Sequence, residues 1–256
     1  MNVYYTKYTI VRKVVRHDFK MRTIEEDIDD FDLLWCDHCL PPDRIMRMKS
    51  YQRTNHFPGM QCITRKDSLG RNLNSMRKLF PEAYDFYPRT WLVPNEMTQL
   101  RADWKKSIQD NRPMTLIIKP EASCQGKGIY LIRELEDIVI DESCVIQEYI
   151  NKPLLMEKMK FDLRLYVLVL GIDPLRIYLS REGLARLSTK QYEEVDDANM
   201  EDMVMHLTNY AINKHSHKFQ QNRAAILDSV GHKRSLKYSL KYIKREMGVE
   251  PETIMK

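Results

Sequence analysis

The most regular pattern in the chain lies in residues 160–169, which read Lys-Phe-Asp-Leu-Arg-Leu-Tyr-Val-Leu-Val. The odd positions from Phe161 to Val169 are all apolar, whereas Lys160, Asp162 and Arg164 stand on even positions. Because side chains alternate between the two faces of a strand, this pattern predicts one long strand with its charges on one face. A solvated sheet face would show the same alternation. The length and apolarity of the run favour a charged face that lines a cleft.

Other apolar runs in the second half of the chain also have the composition of strands. They are Thr115–Lys119, Ile129–Ile132, Cys144–Ile150 and Arg176–Ser180. The first two flank residues 121–128, Glu-Ala-Ser-Cys-Gln-Gly-Lys-Gly, which predicts a hairpin whose tip can fold over a phosphate through backbone N–H groups and Lys127. On its own, a Gly-x-Gly hairpin is more often an ordinary turn. The sequence contains neither the P-loop motif nor the dinucleotide-binding glycine motif.

The first half of the chain combines predicted strands with predicted helices. Its Val, Ile and Tyr content predicts strands over Tyr8–Val15 and Phe31–Cys36. Apolar spacing and stop signals predict a short helix after Pro42 and longer helices over Lys66–Phe80 and Asn95–Gln109. The turn signal at residues 111–113 closes this region. We therefore expect an N-terminal α/β domain in residues 1–113 and a second domain in residues 114–256.

The composition excludes several classes of protein. With 43% hydrophobic residues, 8 Gly and 11 Pro in 256 residues, the chain is neither collagen-like nor of low complexity. Its 5 cysteines, in a sequence without a visible signal peptide, are expected to be reduced. The longest charge-free apolar run, Leu165–Ile172, is far shorter than a membrane-spanning helix. These features predict a cytoplasmic or cytoskeletal protein that does not associate with a membrane.

Positive charge is concentrated near the end of the sequence. The formal net charge is +5, and residues 214–256 contain ten Lys and Arg against four Asp and Glu. Such a segment attracts polyanions, although a solvated helix face is the more common explanation. Because zinc-finger spacing, an RNP-like strand and heptads behind a basic region are all missing from the sequence, nucleic acid is not the expected partner.

Six motifs occur in an order that resembles the tubulin–tyrosine-ligase-like family. They are Ile118-Lys119-Pro120, Gln125-Gly126-Lys127-Gly128-Ile129, Val145-Ile146-Gln147-Glu148-Tyr149-Ile150, Lys160-Phe161-Asp162-Leu163-Arg164, Glu182-Gly183 with Arg186, and His206-Leu207-Thr208-Asn209-Tyr210. Upstream, residues 49–59 and Arg65-Lys66-Asp67 look like the polyglutamylase branch. The resemblance runs from about residue 30 to about residue 240 and implies an α/β fold of the ATP-grasp type.

The resemblance also implies roles for individual residues. The ATP-binding set would be Lys119, Gln125, Gly126, Gln147, Glu148, Tyr149, Ile150, Lys160, Phe161, Asp162, Thr208 and Asn209, with residues 147–150 reading adenine through backbone groups. The catalytic cations at the γ-phosphate or an acyl phosphate would be Lys66, Arg164 and Arg181. The residues that hold free glutamate would be Arg186, Tyr210 and Lys233, with Arg234 as an alternative to Lys233. Taken singly, His206 is more typical of a structural histidine.

The implied activity is an ATP- and Mg²⁺-dependent addition of free glutamate to glutamate side chains in tubulin C-terminal tails, through an acyl phosphate. Clustered cations suit this reaction because several anions must meet in one site. The expected protein is a monomer at microtubules, and a cilium or basal body is the expected location. A glycine or tyrosine ligase of the same family is the alternative enzyme, and the upstream polyglutamylase-like segments argue against it.

One departure from the family concerns the metal. Relatives of this type continue beyond the His-Leu-Thr-Asn motif to an Asp, a Glu and an Asn that bind the ion. Here the acidic residues that follow are only Asp228, Glu246, Glu250 and Glu252, so no metal ligand is assigned. We therefore expect an ATP-grasp-like fold that is incomplete at its C-terminal end, with weak or no ligase activity. A catalytically incomplete tubulin-binding fragment is the alternative outside the enzymes.

Overall fold

A computed structural model of the chain describes residues 1–120, 126–138, 143–221 and 230–255. Its contacts divide the chain into two units, Met1–Asn72 and Leu73–Lys256. The predicted domain boundary at residues 113 and 114 stays a prediction. The helices and strands up to residue 79 are α1 (Thr9–Lys13), a π-helical turn (Val14–Asp18), β1 (Leu33–Leu34), α2 (Pro42–Arg47), β2 (Arg53–Thr54), α3 (Gln61–Thr64) and α4 (Lys66–Leu79).

In the first unit, the predicted strand at Tyr8–Val15 is wrong, because these residues enter α1 and the π-helical turn. The apolar positions Val11 and Val15 are four residues apart, which is helical spacing, and they pack with Met1, Val3 and Leu33. Packing on one helical face therefore outweighs the strand preference of the β-branched residues. The predicted strand at Phe31–Cys36 is confirmed only at β1, which pairs in parallel with β2.

The first sheet of the second unit has the order β3-β6-β4-β5, and all its pairs are antiparallel. It carries a core that includes Trp91, Leu100, Leu116 and Ile146. The two paired strands of the predicted hairpin and the predicted strand after it are confirmed, whereas β3 was not predicted. Residues 121–125 of the hairpin tip lie outside the described residues. The elements here are β3 (Thr90–Val93), α5 (Met97–Gln109), β4 (Leu116–Pro120), β5 (Tyr130–Ile132), a 3₁₀ turn (Leu135–Asp137) and β6 (Cys144–Glu148).

The second sheet has the order β10-β9-β8-β7 and is also antiparallel. The alternating segment forms β8, as predicted, and it pairs along most of its length with β9. The amphipathic helix α8 covers part of this sheet through Ile243, which packs with Met156, Ala185 and Leu187. The elements are β7 (Leu155–Met156), β8 (Met159–Ile172), β9 (Leu175–Gln191), α6 (Met203–His206), α7 (Tyr210–Asn213), β10 (Lys233–Ser235), α8 (Leu236–Met247) and α9 (Pro251–Met255).

The β8–β9 hairpin differs from the sequence expectation in its outer half. A strand this apolar was expected to be covered, yet the side chains of Val167, Leu168, Ile177 and Tyr178 are all more than half exposed. Only the inner half of the hairpin, near Lys160, packs on other elements of the described chain. None of the helices in the described residues is both long enough and apolar enough to cross a membrane.

Candidate active site

Lysine 119 reaches the site from the end of β4. Its Nζ donates to Gln147 Oε1 at 2.6 Å, across the β4–β6 pair. The Gln147 amide in turn donates to Thr90 Oγ1 on β3 at 2.8 Å. These two bonds fix the amide, because its carbonyl oxygen faces the lysine and its nitrogen faces the threonine. Three strands of the first sheet therefore place one ammonium group at this end of β4.

Lysine 160 comes from the second sheet, at the start of β8. Its Nζ donates to the Tyr149 hydroxyl at 2.8 Å and lies 4.1 Å from the centroid of that ring. The pKa of Lys160 is lowered to about 8, first by burial and then by the charge of nearby Lys119, while Asp162 opposes the shift. The structure thus holds two ammonium groups close enough to repel each other in a poorly solvated place. A polyanionic ligand would relieve this repulsion.

Aspartate 162 is the centre of a hydrogen-bond network on the same face of β8. Its carboxylate accepts from Arg186 Nε at 2.8 Å and from Arg186 Nη2 on the facing strand. It also accepts from the Thr208 hydroxyl at 2.8 Å. Asp162, a predicted ATP-binding residue, and Arg186, a predicted binder of free glutamate, are therefore joined by a bidentate ion pair, which is the strong form of this interaction.

The three residues predicted to hold glutamate come together. Lys233 on β10 lies opposite Arg186 in the strand register, and its Nζ stands 3.7 Å from the centroid of the Tyr210 ring. Arg234, the alternative to Lys233, is buried and makes a bidentate pair with Glu157 at 2.6 and 2.7 Å. Because Glu157 occupies the guanidinium of Arg234, Lys233 is the better candidate for a ligand carboxylate.

The Arg234–Glu157 pair gives a stability prediction. The Arg234 side chain is only 5% exposed, and Glu157 holds its pKa above the usual value. Glu157→Gln removes the countercharge and leaves a buried cation, so we expect the free energy of unfolding to fall by about 2 kcal/mol, below the 3–5 kcal/mol of a fully buried pair because Glu157 is partly exposed. Urea denaturation measures this change.

The matched control is Glu194→Gln, which breaks the pair between Lys152 and Glu194 at the surface. Both of these side chains are largely exposed, so the substitution should leave the urea midpoint nearly unchanged. Equal midpoints for the Glu157→Gln and Glu194→Gln variants would contradict the assignment of Arg234 to a structural role.

Glycine 126 lies against the His-Leu-Thr-Asn segment. Its φ is +91°, and a Cβ placed on it would approach Ile212 Cδ1 to 2.6 Å and Asn209 Cγ to 3.2 Å. The close approach and the positive φ together require glycine here. The segment itself is held by Asn213, whose Nδ2 donates to the Leu207 carbonyl at 2.7 Å and whose Oδ1 accepts from the Thr189 N–H at 2.9 Å.

The end of β6 differs from a free strand edge. Because β6 lies between β3 and β4, the N–H groups of Glu148 and Tyr149 donate to the carbonyls of Arg89 and Thr115, at 2.8 Å each. The Glu148 side chain pairs with Arg89 at 2.9 Å. Ile150, which is exposed, follows the last of these backbone bonds. Backbone recognition of adenine by residues 147–150 stays a prediction, and Ile150 is its most accessible position.

Three predicted residues of the second unit stand apart from this group, a fourth lies outside the described residues, and a fifth belongs to the first unit. The Phe161 side chain faces the core with Leu187 and Ile243, so it lies on the other face of β8 from Lys160. Arg164 and Arg181 stand farther along the β8–β9 hairpin, and both are exposed. Gln125 lies outside the described residues. Lys66 begins α4 in the first unit, and its catalytic role stays a prediction.

Sequence reasoning missed several residues that support the site. Thr90, Asn213, Tyr192 and Asn199 hold site residues or their neighbours through hydrogen bonds. No local pattern marks them, because their partners lie 24 to 57 residues away in three of the four cases. The buried amide of Asn213 is the clearest example, since only the packed structure shows what it binds.

The residues present fit a nucleotide better than they fit a metal. For the nucleotide, the fit rests on the two close ammonium groups and on Gly126, which has no room for a Cβ beside Ile212 and Asn209. For a metal, the described part of the chain contains no group of three His, Cys, Asp or Glu side chains in binding arrangement. We therefore assign no step of any reaction to a metal held by these residues.

The second unit thus carries a lysine and an aspartate on β8, a second lysine at the end of β4 and a glycine that packs against Asn209. The chain belongs to the tubulin-tyrosine ligase family, whose sequence model matches residues 44–256. It is 48% identical to a protein of Tetrahymena thermophila named "Probable beta-tubulin polyglutamylase", over 92% of this chain and 20% of that protein. It is 42% identical to a tubulin polyglutamylase of Mus musculus, over 94% of this chain and 26% of that protein.

A tubulin polyglutamylase of Danio rerio is 41% identical over 99% of this chain and 31% of its own length. The chain thus spans between a fifth and a third of the length of these curated relatives. The residues that the family model matches include both four-stranded sheets of the second unit.

Proposed function

We propose that this chain carries the nucleotide and amino-acid sites of an ATP-dependent ligase that adds glutamate to the acidic tails of tubulin. The ATP-grasp-like assignment of its mixed α/β fold belongs to this proposal. The observation that carries it is the convergence of Lys119, Lys160 and the Asp162–Arg186 pair from two sheets. The names of the relatives support the choice of glutamate and tubulin.

On the nucleotide side, Lys119 and Lys160 would hold the phosphates and the base, and Gly126 would keep the loop against Asn209. Bound ATP would supply the phosphoryl group that activates an acceptor carboxylate as an acyl phosphate. The amine of free glutamate would then attack the acyl carbon, form the isopeptide bond and release phosphate. The Lys119 ammonium would stabilise the transferring phosphoryl group by matching its negative charge. We propose that Arg164 and Arg181, on the β8–β9 hairpin, contact the same phosphoryl group.

On the glutamate side, Arg186, Tyr210 and Lys233 surround a small cleft. Lys233 can bind a carboxylate, and the Tyr210 ring fixes the direction of the lysine. Asp162 already accepts from Nε and Nη2 of Arg186, so Arg186 would contact the ligand through Nη1. The exposed outer face of α8 adds Lys237, Lys241, Lys244 and Arg245. This basic face would attract an acidic tail in a salt-sensitive manner. A location at microtubules, including those of cilia, follows from the substrate.

The experiment that tests the proposal has two parts. Calorimetric titration measures ATP binding with and without Mg²⁺, and mass spectrometry of tubulin incubated with the chain, ATP and glutamate measures adducts. Adducts in glutamate-sized steps are the expected result for a ligase. ATP binding without adducts would instead favour a chain that binds substrates but lacks turnover, and the lack of a metal-binding group in the described residues favours this second candidate. Absence of ATP binding would reject both.

Gly126→Ala should weaken ATP binding about tenfold. A residue with Cβ at this φ costs about 1–2 kcal/mol, and the terminal methyl of Ile212 must also shift to make room. Gly59→Ala is the matched control, since Gly59 also has a positive φ, +79°, but a Cβ there meets no atom within 4 Å. ATP titration of both variants checks this, and equal affinities would show that the loop does not contact the nucleotide.

A further inference from the structure

A buried chain of three hydrogen bonds runs behind the Lys160 ammonium. Lys160 Nζ donates to the Tyr149 hydroxyl at 2.8 Å, and this hydroxyl lies 3.0 Å from His206 Nδ1. His206 Nε2 lies 2.9 Å from the backbone carbonyl oxygen of Asn199. The chain connects β8, the end of β6, α6 and the acidic loop between β9 and α6.

The Asn199 carbonyl oxygen at the end of this series of hydrogen bonds determines which atom donates in each bond. A carbonyl oxygen only accepts, so His206 carries a proton on Nε2, and in the neutral ring Nδ1 is then an acceptor. The Tyr149 hydroxyl must then donate to Nδ1, which leaves its oxygen lone pairs for Lys160. Lys160 is therefore the only one of the three side chains that donates toward Tyr149, and it does so as an ammonium group.

The side chains that form these hydrogen bonds are buried away from water. The His206 side chain is fully buried and Tyr149 is 5% exposed. Burial lowers the pKa of His206 and raises the pKa of Tyr149, so both groups are neutral near pH 7. The Tyr192 ring also contacts His206 edge-on, and its hydroxyl donates to the Asn151 carbonyl at 2.7 Å. Each polar atom in this series of hydrogen bonds has a partner.

We propose that His206 is a positioning residue, which acts through the Tyr149 hydroxyl to hold the Lys160 ammonium in place for a bound nucleotide. The proposal rests on the proposed function only in taking Lys160 as a nucleotide contact. It assigns a role to the histidine of the His-Leu-Thr-Asn segment that differs from packing alone. It also makes the Asn199 carbonyl, and hence the acidic loop, part of the support for the site.

The first test is a double-mutant cycle on ATP affinity in the 256-residue chain. Tyr149→Phe keeps the ring beside Lys160 but removes the hydroxyl, and His206→Gln removes the acceptor at Nδ1. We expect each single variant to bind ATP about fivefold more weakly. If His206 acts through Tyr149, the double variant should be no weaker than Tyr149→Phe alone. The proposal would be overturned if the double variant lost ATP affinity by the product of the two single losses. It would also be overturned if His206→Gln bound ATP as tightly as the wild-type chain.

A conservative variant separates positioning from packing. In His206→Asn the amide oxygen stands near the position of Nδ1, so it can still accept from Tyr149, although the bond to Asn199 is lost. His206→Asn should therefore bind ATP more tightly than His206→Gln, while both lose similar stability in urea. ATP affinities that follow stability instead would overturn the proposal in favour of a structural role.

A measurement on the wild-type chain guards against variants that fail to fold. The ring-nitrogen chemical shifts of His206 in a ¹⁵N-histidine-labelled sample should report the neutral form protonated on Nε2 at pH 7. A proton on Nδ1, or on both nitrogens, would overturn the proposal. If the wild-type chain binds no ATP, the proposed function and this inference both fail. If it binds ATP and the cycle is additive, only the inference fails.

Discussion

Lys119→Ala is expected to weaken ATP binding about hundredfold. The ammonium of Lys119 lies at the end of β4, held by Gln147, and it acts on Lys160 strongly enough to lower the pKa of that residue. A charge-assisted hydrogen bond to a phosphate contributes about 1.5–3 kcal/mol, which corresponds to a factor of roughly 10 to 150 in affinity. The upper part of this range applies because the site is poorly solvated. Calorimetric titration with ATP measures the loss.

The control for this substitution is Lys106→Ala, which removes an exposed lysine from α5. It changes the net charge by the same amount, so it corrects for the general attraction of a basic chain to ATP. We expect its affinity to match that of the wild-type chain. If Lys119→Ala bound ATP as tightly as Lys106→Ala, the nucleotide site would have to lie elsewhere.

The site could be predicted where its residues share one strand, and not where they meet across strands. Period-2 alternation places Lys160 and Asp162 on one face of β8, and the structure confirms this. The alternation gives no information on the partner of Asp162, because Arg186 is 24 residues away and meets it only through the register of β8 with β9. The ion pair between Asp162, predicted to bind ATP, and Arg186, predicted to bind free glutamate, could therefore not be predicted.

The full length of β9 could not be predicted from the sequence for a related reason. Its middle carries Arg181, Glu182 and Gly183, and this interrupts any alternation, so only Arg176–Ser180 was predicted as a strand. In the structure the strand continues to Gln191, and Gly183 lies opposite Leu165. A Cβ at Gly183 would come within 2.7 Å of the Arg164 carbonyl. The glycine that looks like a strand end is thus required by close packing inside the hairpin.

The error at Tyr8–Val15 has another origin. Five β-branched residues and a tyrosine favour a strand locally, but strand preference spans only about 1 kcal/mol and depends on context. Burial of Val15 and partial burial of Val11 against Val3 and Met1 outweigh it. Local composition therefore predicted the secondary structure well where hairpin pairing agreed with it, as in β4 and β8, and poorly where packing decided.

The affinity for ATP is expected to fall about tenfold between pH 7 and pH 9, because Lys160 loses its proton in this range. Its pKa in the folded chain is about 8, whereas an exposed lysine titrates near 10.5. Below pH 8 the amine is charged and can pair with the nucleotide; above pH 8 it becomes neutral and the pairing is lost. The groups that face it are Lys119, Asp162, Tyr149, Tyr192 and His206. Burial raises the pKa of both tyrosines and lowers that of His206, so these three stay neutral over this range.

The same shift has the opposite effect on the stability of the free chain. Since the unfolded chain binds the Lys160 proton more tightly than the folded chain, the free energy of unfolding should rise from about pH 8 to about pH 10.5 through this group. Lys160→Arg is the matched variant, because a guanidinium stays charged throughout. ATP titrations at pH 7, 8 and 9 should show a decline in the wild-type chain and a flat profile in Lys160→Arg. Parallel profiles would mean that the titrating group is not Lys160, since a ligand-side effect acts on both chains equally.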